Sequence, residues 1–170
     1  MLAALLLSLA PAAADTRRML SALHAGDIDA MRVELEAGAD PNGAPWVGAM
    51  ASYLPVYLAA KAGRADILAL LVAFGADIDL RDTNGERPLD AAAGDGDLDI
   101  VRLLVEAGAP PDPREDDPEV KRSLIVAADR GRVDVALYLL DRGADPDPQA
   151  GRWGAPLLHA AKLTDRRLAE

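Results

Sequence analysis

The chain has no cysteine, two histidines and six aromatic residues in 170 positions. Without cysteine there is no disulfide framework, no thiolate nucleophile, no Cys-ligated zinc and no lipid-modified thiol. A surplus of basic charge is missing as well: 18 Lys and Arg stand against 28 Asp and Glu, a formal charge of -10. That sign argues against phosphate backbones and anionic membrane surfaces as partners. Long apolar runs are also lacking. Leu2 to Ala10 is about half of the roughly 20 residues needed to cross a bilayer, so no membrane span is expected. With so few aromatics, a sandwich of β-branched and aromatic strands is disfavoured. What the chain does have is 51% apolar residues, 35 of its positions being alanine. Such a composition suits one folded domain with a thin core of closely packed helices.

The N-terminal apolar run is followed by Pro11, Ala12, Ala13 and Ala14, and then by Asp15, the first charged residue. This reads as a secretory signal peptide over residues 1–14, with an A-x-A cleavage site between Ala14 and Asp15. The alternative is a short hydrophobic helix packed on the first repeat, in which case the protein stays in the cytoplasm. Arg outnumbers Lys 15 to 3, which together with the alanine content suggests a GC-rich, bacterial genome. Export then means the periplasm or secretion.

A Gly-Ala doublet recurs at Gly38-Ala39, Gly75-Ala76, Gly108-Ala109 and Gly143-Ala144, with steps of 37, 33 and 35 residues. Another glycine stands twelve residues before each: Gly26, Gly63, Gly96 and Gly131. Between the paired glycines the apolar residues keep a helical step, as in Ile67, Leu70 and Leu71, Ile100, Leu103 and Leu104, or Val135, Tyr138 and Leu139. A shorter helical stretch precedes each pair, at Arg18 to Ala25, Pro55 to Ala62, Pro88 to Asp95 and Ser123 to Arg130, two of them opened by proline. Glycine suits the left-handed residue that closes a helix, and Asp40, Asp77 and Asp145 after the doublets suit the turn beyond. Ala59-Ala60, Ala92-Ala93 and Ala127-Ala128 let neighbouring helices approach closely. A lone unit with five or six core side chains cannot offset its ordering entropy, so the units must stack.

The segment DTNGERPLDAAAGDGDLDIVRLLVEAGAPPD, from Asp82 to Asp112, carries the pattern most fully, and four registered copies make the chain resemble the ankyrin-repeat family. The resemblance covers about residues 16–170 of a domain spanning 15–170, with copies at about 16–42, 43–79, 80–112 and 113–147 and a partial fifth at 148–170. It implies an all-α solenoid of antiparallel helix pairs with loop or hairpin tips. The family's Thr-Pro-Leu-His turn is nowhere complete, because its histidine position holds Leu20, Tyr57, Asp90, Ile125 and Leu158. The hydrogen bonds of that histidine must therefore be replaced or absent.

Little in the chain reads as catalytic, and no cofactor is expected. His24 and His159 lie in different copies and should not meet. Asp95, Asp97, Asp99 and Glu106 imitate the spacing of an EF-hand calcium loop, but Ile100 occupies the place where that loop needs glycine. The same acidic residues are accounted for by a helix N-terminus. The resemblance implies a non-catalytic protein-binding module, or alternatively a regulatory or inhibitory subunit that shields a partner enzyme or toxin; a monomer is expected. Its partners are usually held by loop tips and by the inner face of the first helices. By position, that points to Lys61, Thr83, Asn84, Glu86, Asp95, Asp129 and Arg130. The connection from Asn42 to Pro55 is four residues longer than that from Asp79 to Pro88, and carries Trp46 and Tyr53. These two are candidate anchors, or fold back over the first copy. Trp153 is a further anchor or part of an end cap.

Overall fold

Alanine and leucine fill the segments between the recurring glycines, and side chains not branched at Cβ lose little freedom in a helix. The computed structural model describes residues 12–43, 54–82, 84–111 and 123–145, and among them every regular element is an α-helix. The helices are α1 (Ala12–Ala25), α2 (Ile28–Glu36), α3 (Pro55–Lys61), α4 (Ala65–Ala73), α5 (Pro88–Asp95), α6 (Leu98–Glu106), α7 (Ser123–Asp129) and α8 (Val133–Asp141). The all-α expectation therefore holds. α3 and α7 end one residue earlier than the pattern implies, and α1 begins at Ala12 rather than Arg18, because the alanines ahead of Asp15 are strong helix formers and continue the helix backwards. Ala14 and Asp15 thus lie in its first turn. Residues 1–11, the partial fifth copy, and Trp46, Tyr53, Thr83 and Trp153 lie outside the described residues.

The hairpin of each copy is built by two reversals of the same kind. At the end of α5, Gly96 takes φ 82°, a left-handed conformation that costs glycine little, and the amide of Asp97 donates to the carbonyl of Ala92 (3.2 Å). Asp97 then opens α6, its carboxylate accepting from the amide of Ile100 at 3.1 Å. At the other end Gly108, with φ 106°, donates to Val105, and Ala109 donates to Leu104 (2.9 Å). Beyond the doublets, Asp40 Oδ1 accepts from the amide of Asn42 (2.9 Å), and Asp77 Oδ1 from that of Asp79 (3.0 Å), so both aspartates close short turns as the sequence suggests.

The first helices α1, α3, α5 and α7 pack side by side in one row, and the second helices α2, α4, α6 and α8 in another. A continuous core runs between the rows from Met19 and Met31 through Ile67, Leu68, Leu71, Leu89, Ile100 and Leu104 to Leu139, all of them essentially removed from solvent. Burying each such side chain is worth about 1.5–3 kcal/mol, which is why stacking supplies the stability that one hairpin lacks. Helix α5 lies between α3 and α7, and every residue from Pro88 to Gly94 is buried. Its Ala91, Ala92 and Ala93 leave room for both neighbours. Among the described residues no helix is long and apolar enough to cross a membrane.

Candidate interaction surface

Two positions of the incomplete Thr-Pro-Leu-His turn are filled in the third copy by charge. Arg87 stands where threonine is expected and Asp90 where histidine is, and both side chains are fully buried. Asp90 Oδ2 accepts from the Arg87 amide and from its Nε, each at 3.1 Å, and Oδ1 accepts from Nη2 at 2.9 Å. Ser123 of α7 joins them, its hydroxyl donating to Asp90 Oδ1 at 2.6 Å and accepting from Arg87 Nη2 at 3.1 Å. Arg87 Nη1 donates to the carbonyl of Pro110 (3.2 Å) and lies 3.7 Å from Asp79. Burial outweighs that arginine's pull and raises the Asp79 carboxyl above the usual aspartate range. The cluster ties the third copy to the fourth from inside.

In the second copy the histidine position is Tyr57, whose hydroxyl donates to Glu86 Oε2 across the interface at 2.8 Å. Burial, then the hydrogen bond to Glu86, and then the charges of Glu86, Asp82 and Asp95 push the Tyr57 hydroxyl well above its ordinary value. Lys61 Nζ sits 5.6 Å from the centre of the same ring. Asp82 organises the adjoining turn: its Oδ1 accepts from the amides of Asn84 and Glu86, both at 2.8 Å, and its Oδ2 from Asn84 Nδ2 at 3.0 Å. Lys61, Asn84 and Glu86, singled out by position, are thus brought to one side of the α3–α5 interface around Tyr57 and Asp82.

Asp95 and Arg130 form a second group, with Asp95 Oδ1 3.5 Å from Arg130 Nη1 and both side chains about half exposed. Asp129 is exposed at the end of α7. The acidic quartet that imitates a calcium loop is dispersed among other tasks, Asp97 capping α6 and Asp95 facing Arg130. Among the described residues no three acidic or histidine side chains converge to hold a metal ion. His24 Nδ1 lies 2.7 Å from the carbonyl of Leu20 in its own helix.

Two arginines that position alone did not mark clamp the inner turns. Arg64 Nη2 donates to the carbonyl of Gly26 at 3.1 Å while its guanidinium grips Asp66 through two bonds of 2.9 and 2.8 Å. That grip, with the amide of Ile67, holds the Asp66 carboxyl down at about 2. Arg132 likewise reaches back to the preceding copy two copies on, but its Nε donates to the carbonyl of Gly94 at 3.1 Å, two residues before Gly96, the counterpart of Gly26. The residue after the inner glycine runs Asp27, Arg64, Asp97, Arg132. The two aspartates cap their own helices and the two arginines reach back to the preceding copy. That alternation is the sequence signal for the clamps.

A family model described as Ankyrin repeats (3 copies) matches residues 12–117 and 56–150. The chain belongs to the ankyrin-repeat family. A curated ankyrin repeat-containing protein of Schizosaccharomyces pombe is 39% identical over 64 residues, which are 38% of this chain and 29% of that protein. The chain therefore matches less than a third of that relative's length. Ankyrin repeats are protein-interaction modules, and in this ankyrin-repeat chain one buried position of the first helices is alanine in every copy, while the residues near their ends, all exposed except Gly94, change from copy to copy. At two successive inner positions the copies carry His24 and Ala25, Lys61 and Ala62, Gly94 and Asp95, and Asp129 and Arg130. Below them Ala22, Ala59, Ala92 and Ala127 stay buried alanine throughout.

Proposed function

We propose that this ankyrin-repeat chain is a non-catalytic binding module that holds one protein partner against the exposed side of α1, α3, α5 and α7 and against the turn at Asp82 to Glu86. The carrying observation is the contrast between an invariant alanine floor and a varied row above it. Stacking needs the floor, but it makes no demand that Lys61, Asp129 and Arg130 differ in charge. Trp46, Tyr53 and Trp153, outside the described residues, are the aromatic anchors we propose for the same partner, since large aromatic side chains carry much of the binding energy at such contacts. Export, supported by the apolar run before Ala14, places the partner in the periplasm or outside the cell.

The test uses a partner recovered by affinity purification from the native extract and then prepared pure. Reversing charge with Lys61→Glu and Asp129→Lys together should lower affinity at least about tenfold, the effect of about 1.4 kcal/mol, with far-UV circular dichroism unchanged. Arg102→Glu on α6, in the other row of helices, should leave binding as it was. Equal affinity in the first variant and loss in the second would move the interface to the opposite row. Sequencing of the exported chain should begin at Asp15, and an intact Met1 would return it to the cytoplasm.

A further inference from the structure

Asn42 and Asp79 hold the same place in the turns that follow Gly38-Ala39 and Gly75-Ala76. In the first of these turns the Asn42 side-chain carbonyl accepts from the amide of Asp77 at 2.6 Å and so joins the first copy to the second. One copy on, the residue in the place of Asp77 is Pro110, which has no N–H to give. The bond that joins copies one and two therefore cannot form between copies two and three. Asp79 Oδ1 is nevertheless buried, and among the described residues no donor bonds to it. The Arg87 guanidinium comes only to 3.7 Å, beyond hydrogen-bond reach. Its Nη1 donates to the Pro110 carbonyl at 3.2 Å instead, and its Nε and Nη2 are taken by Asp90.

A buried acceptor without a donor is costly, and more so when it carries charge. Four charged groups act on the Asp79 carboxyl. Arg87 and Arg81 favour its ionised form, and Asp90 and Asp77 oppose it. Burial is the largest influence and it, too, opposes the charge. The first interface has no such conflict, because Asn42 is neutral and bonded. The Tyr57–Glu86 bond crosses the same pair of copies as Asp79, and its phenol stays neutral throughout the acidic and neutral range. Asp79 is thus the group at this interface whose ionised form has lost the donor that its place in the repeat calls for.

We propose that Asp79 and Pro110 make the interface between the second and third copies an acid-strengthened joint: the ionised carboxylate is an unbonded acceptor beside the third copy, and protonation removes its charge and tightens the stack there. The sign follows from the favoured form. A carboxyl that the fold prefers neutral contributes stability that is fully present below its unfolded value of about 3.9 and is lost as pH rises through the folded one. Since 41% of the Asp79 side chain reaches solvent, the effect is modest. At neutral pH the joint is the looser of the two, and the chain can yield between its second and third copies before it yields between the first and second.

The experiment follows the Asp79 carboxyl carbon of the full chain by NMR from about pH 3 to about pH 7, with a midpoint above the ordinary aspartate value of about 3.9 expected. Pro110→Ala supplies the missing amide and should bring that midpoint down, because a hydrogen bond to the carboxylate favours its charged form. Asp79→Asn, the residue of the first interface, should raise the thermal midpoint by about 2 °C at neutral pH. That gain should shrink as pH falls through the folded value, and it should be absent when Pro110→Ala is also present. Circular dichroism checks that each variant keeps its helices, and the midpoint in the unaltered chain needs no variant to fold. A midpoint at or below the ordinary value would overturn the proposal. So would an Asp79→Asn gain that is absent at neutral pH or equal at both ends of the range, or a midpoint that Pro110→Ala leaves unmoved.

Discussion

Arg87 and Asp90 face each other through a forked ion pair, Nε to Oδ2 at 3.1 Å and Nη2 to Oδ1 at 2.9 Å, with neither side chain reaching solvent. Such a pair is costly to desolvate and gains its worth from complete pairing. Here Ser123 and the carbonyl of Pro110 use the remaining capacity, so the charges are satisfied from both the third and the fourth copy. A stack joined elsewhere by apolar contact and by single hydrogen bonds such as Tyr57 to Glu86 acquires at this interface a buried, forked ion pair that favours one register.

Removing one partner should therefore hurt more than removing both. Asp90→Leu leaves a buried guanidinium unpaired and Arg87→Met a buried carboxylate, each expected to cost about 3–5 kcal/mol, whereas the two together should lose far less than their sum. Urea unfolding of the two single variants and the double variant measures the difference. A double variant as unstable as the sum of the singles would show that the pair has no mutual role.

This ion pair was hard to read in the sequence for a physical reason. Charged residues in a chain of this composition usually lie in water, and nothing local to Arg87 or Asp90 announces burial. The available signal was their placement, complementary charges filling the threonine and histidine positions of the same turn. Ser123 could not be added without the structure, because its contact spans 33 residues of chain to Asp90. The repeat architecture was legible because glycine spacing and proline at a helix start are local: α5 begins at Pro88 and ends at Asp95 as the pattern implies. Among the candidate surface residues, position alone marked Lys61, Asn84, Glu86, Asp95 and Arg130, but not that Tyr57 and Asp82 would gather the first three. The helical step alone did not rank Leu103 below Leu104, since both fall on the apolar face; the structure leaves Leu103 partly exposed and Leu104 wholly buried.

That ranking sets a test of coupled stacking. Leu104→Ala removes a side chain with no solvent contact and should cost about 2–5 kcal/mol, while Leu103→Ala should cost clearly less. Because neighbouring copies share the core, hydrogen exchange in the Leu104 variant should quicken in α4 and α8 as well as in α6. Acceleration confined to α5 and α6 would mean the copies unfold independently.

The hydrogen bond from Tyr57 to Glu86 gives the stack an alkaline limit. Burial, the bond itself and the nearby carboxylates all favour the neutral phenol, so the folded value lies above the ordinary value of about 10. A group raised in this way contributes stability that is fully present below the unfolded value and is lost as pH rises through the folded one. In the folded protein the Tyr57 share of the phenolate absorbance should therefore stay absent past about pH 10, and denaturant midpoints should fall from there upward. Tyr57→Phe should cost about 1.5 kcal/mol at neutral pH, the low end for a bond to a charged acceptor, because Glu86 is only half buried. The same variant should flatten the decline above pH 10. A Phe variant with unchanged neutral stability and the same alkaline slope would show that this contact between the second and third copies carries no free energy.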